Sequence, residues 1–150
     1  MTTIDPILKT VRVSLSPSDA CALFTERIAS WWPLETHSVG GDRARTVVFE
    51  SGIGGRIYEV LDDGTESDWG RVTAWEPPAR ITFTWHPGRP VDTAGEVTVE
   101  FVAEGHETVV TLIHKGWEKL GERASEIRSG YDTGWDLVFG KRFAALADSR

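Results

Sequence analysis

Between residues 7 and 15 apolar and polar positions alternate: Ile7, Lys9, Val11, Val13 and Leu15 share one side, while Leu8, Thr10, Arg12 and Ser14 share the other. A period of two predicts a strand. The period then changes. Ser16 stands where an N-cap is wanted, Pro17 suits the first helical position, and Asp19 puts a carboxylate in the first turn, where it complements the helix dipole. Ala20, Leu23, Phe24, Arg27, Ile28 and Trp31 then recur at three- and four-residue spacing until Pro33 stops the pattern, so a helix is expected to end near Ser30. Residues 32–45, interrupted by Pro33, Gly40 and Gly41, read as a loop or short helical turn.

Six short segments follow, at 46–49, 55–62, 69–75, 81–86, 95–103 and 108–115, alternating and rich in Val, Ile, Thr and aromatics. The links between them carry turn chemistry: Asp62-Asp63-Gly64, Glu76-Pro77-Pro78, Pro87-Gly88-Arg89-Pro90 and Glu104-Gly105-His106. Links this short predict an antiparallel meander. The last segment, about 124–147, places Ile127, Tyr131, Trp135, Val138, Phe139, Phe143 and Leu146 on one broad helical face. Gly130, Gly134 and Gly140 each weaken that helix by ~1 kcal/mol relative to Ala, so packing against the sheet must hold it. The expected class is α+β, a curved antiparallel sheet folded around one long C-terminal helix with a cavity between them.

At 150 residues the chain reads as one domain, 1–150, long enough to bury roughly two-thirds of its unfolded surface. Its formal charge of −7 opposes nucleic-acid binding, which needs clustered Lys and Arg, and opposes anionic membranes for the same reason. Cys21 is the single cysteine, and Met1-Thr2-Thr3-Ile4-Asp5-Pro6 lacks the basic and apolar regions of a signal peptide, so a cytoplasmic protein, monomer or homodimer, is expected. No apolar run approaches the ~20 residues that span a bilayer. His37, His86, His106 and His114 are dispersed, which predicts no metal site. Gly52-Ile53-Gly54-Gly55 leads into a strand, whereas a dinucleotide fingerprint leads into a helix; no cofactor is expected.

Several motifs together carry a family resemblance: Phe24-Thr25-Glu26, Trp31-Trp32-Pro33, His37-Ser38-Val39-Gly40, Gly54-Gly55-Arg56-Ile57-Tyr58-Glu59, Asp68-Trp69-Gly70-Arg71-Val72, Trp75-Glu76-Pro77-Pro78, His114-Lys115-Gly116-Trp117 and Gly134-Trp135. In their order and spacing the chain resembles a bacterial subgroup of the activator of heat-shock-protein-90 ATPase homologue-like family. That family lies within the START-like or SRPBCC superfamily, which includes the major birch-pollen allergen. The resemblance implies a helix-grip fold with a hydrophobic cavity, and members of the superfamily bind lipids, sterols and polyketide-like molecules or act on them. It also suggests a chaperone partner, but the eukaryotic activators carry an additional N-terminal domain for which these residues leave no length. The resemblance therefore implies fold and cavity rather than ATPase activation.

Strand alternation puts Ile81, Phe83 and Trp85, Val97, Val99 and Phe101, and Val110, Leu112 and His114 on inner faces. His114 is then either a core histidine tied to a backbone carbonyl or a polar handle for ligand. Glu59 shares a side with Ile57 and, if buried, needs a partner: a rim salt bridge with Arg56 or Arg71, or His114 in an acid/base pair. Trp32 and His37 lie where this fold has its cavity entrance, the first as a loop anchor, the second as a turn-holding or ligand-orienting residue. Trp69, Trp85, Tyr131, Trp135 and Phe139 are core aromatics or stacking surfaces for a planar ligand. Cys21, beside Ala20 and Phe24, is expected to be inert. Three functions remain open: binding of a small hydrophobic ligand such as a lipid, sterol or polyketide, a cyclase, dehydratase or hydrolase using the same cavity, and a chaperone-associated interaction protein.

Overall fold

A computed structural model describes residues 5–148. Its seven strands are β1 (Ile7–Val13), β2 (Ala44–Phe49), β3 (Arg56–Leu61), β4 (Glu66–Glu76), β5 (Arg80–Trp85), β6 (Gly95–Glu104) and β7 (Glu107–Lys115). They form one antiparallel sheet in the order β1-β7-β6-β5-β4-β3-β2: β2 to β7 meander through neighbours, and β1 crosses to pair with β7. Irregularities in register between β2 and β3, β3 and β4, and β4 and β5 curl that half of the sheet, as an extra residue on one strand increases local twist. At Gly70 a Cβ would collide with the Thr84 carbonyl, so only glycine lets β4 approach β5 there.

The alternation read from the sequence decides which face is wet. In register across the sheet, Ile7, His114, Val97, Phe83 and Val72 make one inward row, and all are buried. Lys9 is also on the inner side of β1, and its ammonium meets Asp132 at 2.8 Å and Asp136 at 2.9 Å on the helix. Those hydrogen bonds hold Lys9 above its usual pKa and Asp132 below its own.

Helix α1 (Pro17–Phe24) starts as expected, with Ser16 Oγ accepting from the Asp19 N–H at 3.1 Å. It ends six residues before the expected limit. The indole N–H of Trp31 donates to the Leu23 carbonyl at 2.9 Å, the acceptor that residue 27 would use in a continuing helix. Arg27 N–H turns to the Ala22 carbonyl instead, and a 3-10 turn (Ile28–Ser30) follows. Burial of Trp31 therefore outweighs the helical periodicity.

The C-terminal helix runs as α2 (Ala124–Leu137), a wider π turn (Val138–Phe143) and α3 (Ala144–Asp148). Trp135, Val138, Phe139, Phe143 and Ala147 are its buried face. This is a helix-grip α+β fold. Among the described residues, no helix is long and apolar enough to cross a membrane.

Candidate functional site

The space between helix and sheet is unequally filled. Toward one end Phe24, Phe83, Phe101, Phe139 and Phe143 interlock, with Phe139 and Phe143 stacked at 5.5 Å and Phe24 edge-on to both. Toward the other, a cleft of about 450 Å3 opens between α2, the end of β5 and the segment after α1. Its walls are Trp32, His37, Ser38 and Val39 from that segment, Trp85, Pro87 and Gly88 from the sheet side, and Ile127, Gly130, Tyr131, Gly134, Trp135 and Val138 from the helix.

The glycines explain why room is left. A Cβ at Gly130 would meet nothing within 4 Å, and one at Gly134 would sit 3.7 Å from the His37 ring. One turn apart on α2, they recess the helix where the cleft runs. Trp32, Trp85 and Trp135 pack about this space with ring centroids 5.6–6.0 Å apart, offering flat apolar surface.

The rim segment is built rather than loose. Trp32 Nε1 donates to the His37 carbonyl at 2.7 Å, Ser38 Oγ donates to the Leu34 carbonyl at 2.6 Å, and Gly41 N–H donates back to Ser38 Oγ at 2.9 Å. Val39 and Gly40 N–H groups then donate to the two carboxylate oxygens of Glu59, at 2.7 and 2.8 Å. The indole N–H of Trp69 adds a third bond at 2.7 Å. Glu59 is fully buried and points inward with Ile57, as the alternation implied. Neither expected partner is found: Arg56 holds Glu66 and Asp68, Arg71 bonds the Gly54 carbonyl, and Glu59 shares no hydrogen bond with His114. Three N–H donors satisfy the carboxylate, so Glu59 fastens the rim to the sheet.

His114 is also fully buried. Its Nδ1 accepts from Trp135 Nε1 at 3.0 Å, which places the proton of the neutral ring on Nε2. Burial, then the positive charge of Arg89, hold its pKa down at about 3. Its carbonyl accepts from Trp117 Nε1 at 3.0 Å, and Trp117 lies against the ring at 4.2 Å. The acid/base pair of Glu59 and His114 is therefore not assembled, and His114 is a neutral core residue that orients Trp135.

Of the candidates read from the sequence, Trp32, His37, Trp85, Tyr131 and Trp135 face the cleft. Ile57, Glu59, Trp69, Phe83, Val99, Leu112, His114 and Phe139 are packed in the core behind it. His37 presents an imidazole whose Nδ1 lies 2.7 Å from Thr36 Oγ1. Tyr131 brings its hydroxyl within 3.4 Å of Arg89 Nη2. Sequence reasoning missed Arg89 and the cleft-forming role of Gly130 and Gly134; the signals for the glycines were their spacing on an otherwise helical face and the Gly134-Trp135 motif. Cys21 is buried, with its thiol pushed up to about 11 by desolvation and then Glu26. Among the described residues no group of three His, Cys, Asp or Glu gathers to hold a metal.

The family model described as Activator of Hsp90 ATPase homolog 1-like protein matches residues 21–148. The solved anthrahydroquino-Gama-pyrone synthase Txn09, complexed with SUM, is 34% identical, with 96% of this chain and 97% of that chain covered and a TM-score of 0.65. Protein BH1534 of Bacillus halodurans is 22% identical over 99% of this chain and 100% of its own, at a TM-score of 0.69. MLL2253 of Mesorhizobium loti is 19% identical over 94% and 96%, at 0.66. These last two establish the shared fold alone. A search of the curated proteins gives no match.

Proposed function

Because the chain belongs to the Activator of Hsp90 ATPase homolog 1-like family, we propose that it works through its helix-grip cleft, binding a small, largely apolar molecule of planar, polyketide-like shape. The observation that carries this reading is the cleft of about 450 Å3 faced by three indoles and a phenol ring. That volume falls within the usual range of ligand sites, and burial of apolar ligand surface there contributes roughly 25 cal/mol per Å2. Flat walls favour flat ligands over bulky lipids. The 34% identical relative is named for an anthrahydroquino-Gama-pyrone product, which favours an oxygenated polycycle within this class.

The test is a panel of lipids, sterols, aromatic acids and polycyclic quinones, read by melting temperature and indole fluorescence. A polycyclic aromatic is expected to raise the melting temperature and quench the indoles, because a ligand bound to the native state alone stabilises it by mass action. Gly130→Leu, which drives a side chain into the cleft, is expected to abolish both responses. A panel with no response at all rejects this reading and leaves the interaction role, with a chaperone or another protein as partner.

Catalysis in the same cleft is the second reading, favoured by the two titratable groups on its wall, His37 and Tyr131. A cyclase or dehydratase would use His37 as the base. His37→Gln is then expected to keep ligand affinity while turnover falls by about 10²-fold or more, the usual contribution of general acid–base catalysis. Equal turnover in both forms removes His37 from that role.

A further inference from the structure

The cleft has one polar end, and its polarity has a sign. A single nitrogen of Arg89 ties the two walls together: Nη2 donates to the Trp85 backbone carbonyl at 3.3 Å and to the Tyr131 hydroxyl oxygen at 3.4 Å. Tyr131 therefore accepts from the guanidinium, and its own O–H proton remains free to donate to something in the cleft.

The charge of Arg89 is also unspent. Lys9 and Arg56, likewise partly buried cations, each hold two carboxylates. Arg89 holds none among the described residues; its other partners are the carbonyl and hydroxyl of Thr93, and its Nε–H is buried without an acceptor. Its field reaches the interior, where it helps keep His114 neutral.

We propose that the Tyr131 O–H, backed by the Arg89 guanidinium, forms a subsite for an ionised or strongly electron-rich oxygen on the ligand, so that the cleft selects acidic planar aromatics over neutral ones. The proposal rests on the ligand-binding reading above and narrows its class: sterols and hydrocarbons leave this donor unmatched, whereas a carboxylate, phenolate or enolate on a flat ring system satisfies it. Arg89 acts as a positioning residue, orienting Tyr131 and supplying the field, while the Tyr131 hydroxyl touches the ligand.

Three probes test it: anthraquinone-2-carboxylate, its neutral methyl ester, and oleate, titrated at pH 7 by indole quenching and calorimetry. The acid is expected to bind at least about tenfold tighter than the ester, the scale of one charge-assisted hydrogen bond. Arg89→Gln is expected to cut that ratio below about threefold, and Tyr131→Phe to weaken the acid by about threefold or more with a smaller effect on the ester. Should Arg89→Gln fail to fold, the Tyr131→Phe ratio decides alone. Equal binding of acid and ester to the parent protein overturns the subsite and leaves the cleft reading standing; binding of neither probe overturns both. A ratio that survives in both variants also overturns the subsite. Oleate bound more tightly than the anthraquinone acid, with the same dependence on Arg89, overturns the aromatic half of the proposal.

Discussion

The two ends of the sheet–helix interior are built from similar residues with opposite results. At the phenylalanine end, Phe139 and Phe143 on the helix fill what Phe24, Phe83 and Phe101 leave open, and every ring is buried. At the tryptophan end, large rings again come from sheet, helix and loop, but the helix presents Gly130 and Gly134 between them. The same curved sheet and the same helix thus give a dense core at one end and a cleft at the other. What differs is the side chain missing from two helical positions, since a cleft arises where one partner contributes no volume.

The strongest challenge to this comparison is Phe139→Ala. Removing a fully buried ring that stacks on Phe143 is expected to cost about 3 to 5 kcal/mol in urea unfolding, with the cleft's ligand affinity changed far less than stability. A cost below about 1 kcal/mol, the range of a surface substitution, would show that end to be loosely packed. Next comes Glu59→Gln. The amide has one acceptor oxygen in place of a carboxylate that now takes three N–H bonds, and about 2 to 3 kcal/mol is expected to be lost. Amide exchange at Val39 and Gly40 should speed up before the rest of the sheet; uniform exchange would detach Glu59 from the rim.

His114, where the packed core meets the cleft wall, gives a third test through pH. Its folded pKa, about 3, lies below the ordinary 6.5. The unfolded chain therefore takes up a proton that the native state refuses, and the stabilisation is complete above pH ~6.5 and declines as pH falls toward ~3. NMR of the ring should show no protonation between pH 5 and 8. A midpoint within that range would mean an acceptor or carboxylate sits at Nε2.

The smallest effect has the opposite sign. Gly130→Ala adds a methyl that meets nothing within 4 Å and improves helix propensity, so stability should rise by about 0.5 to 1 kcal/mol. Ligand affinity should fall at the same time. A gain in both would place the ligand elsewhere.

How much of this was legible beforehand varies by residue. The inward rows carrying Phe83, Val99, Leu112 and His114 follow from strict alternation, because a strand's side-chain period leaves only two faces. The neutral, depressed state of His114 follows from the same argument, since burial disfavours its cation. The early end of α1 was hidden, for the acceptor that Trp31 takes from the helix is reached only once the indole folds back.

What the sequence by itself determined is the element plan, the buried faces and the family, all of which depend on spacing along the chain. Tertiary structure alone decided that Glu59 pairs with the backbone of Val39 and Gly40, that Arg89 meets Tyr131 across 42 residues, and that two helical glycines front a cleft. The physical reason is that hydrogen bonds and voids belong to pairs of surfaces. Periodicity reports which side of a strand or helix is turned inward, but which donor finds which acceptor, and where volume is missing, is set only when those sides meet.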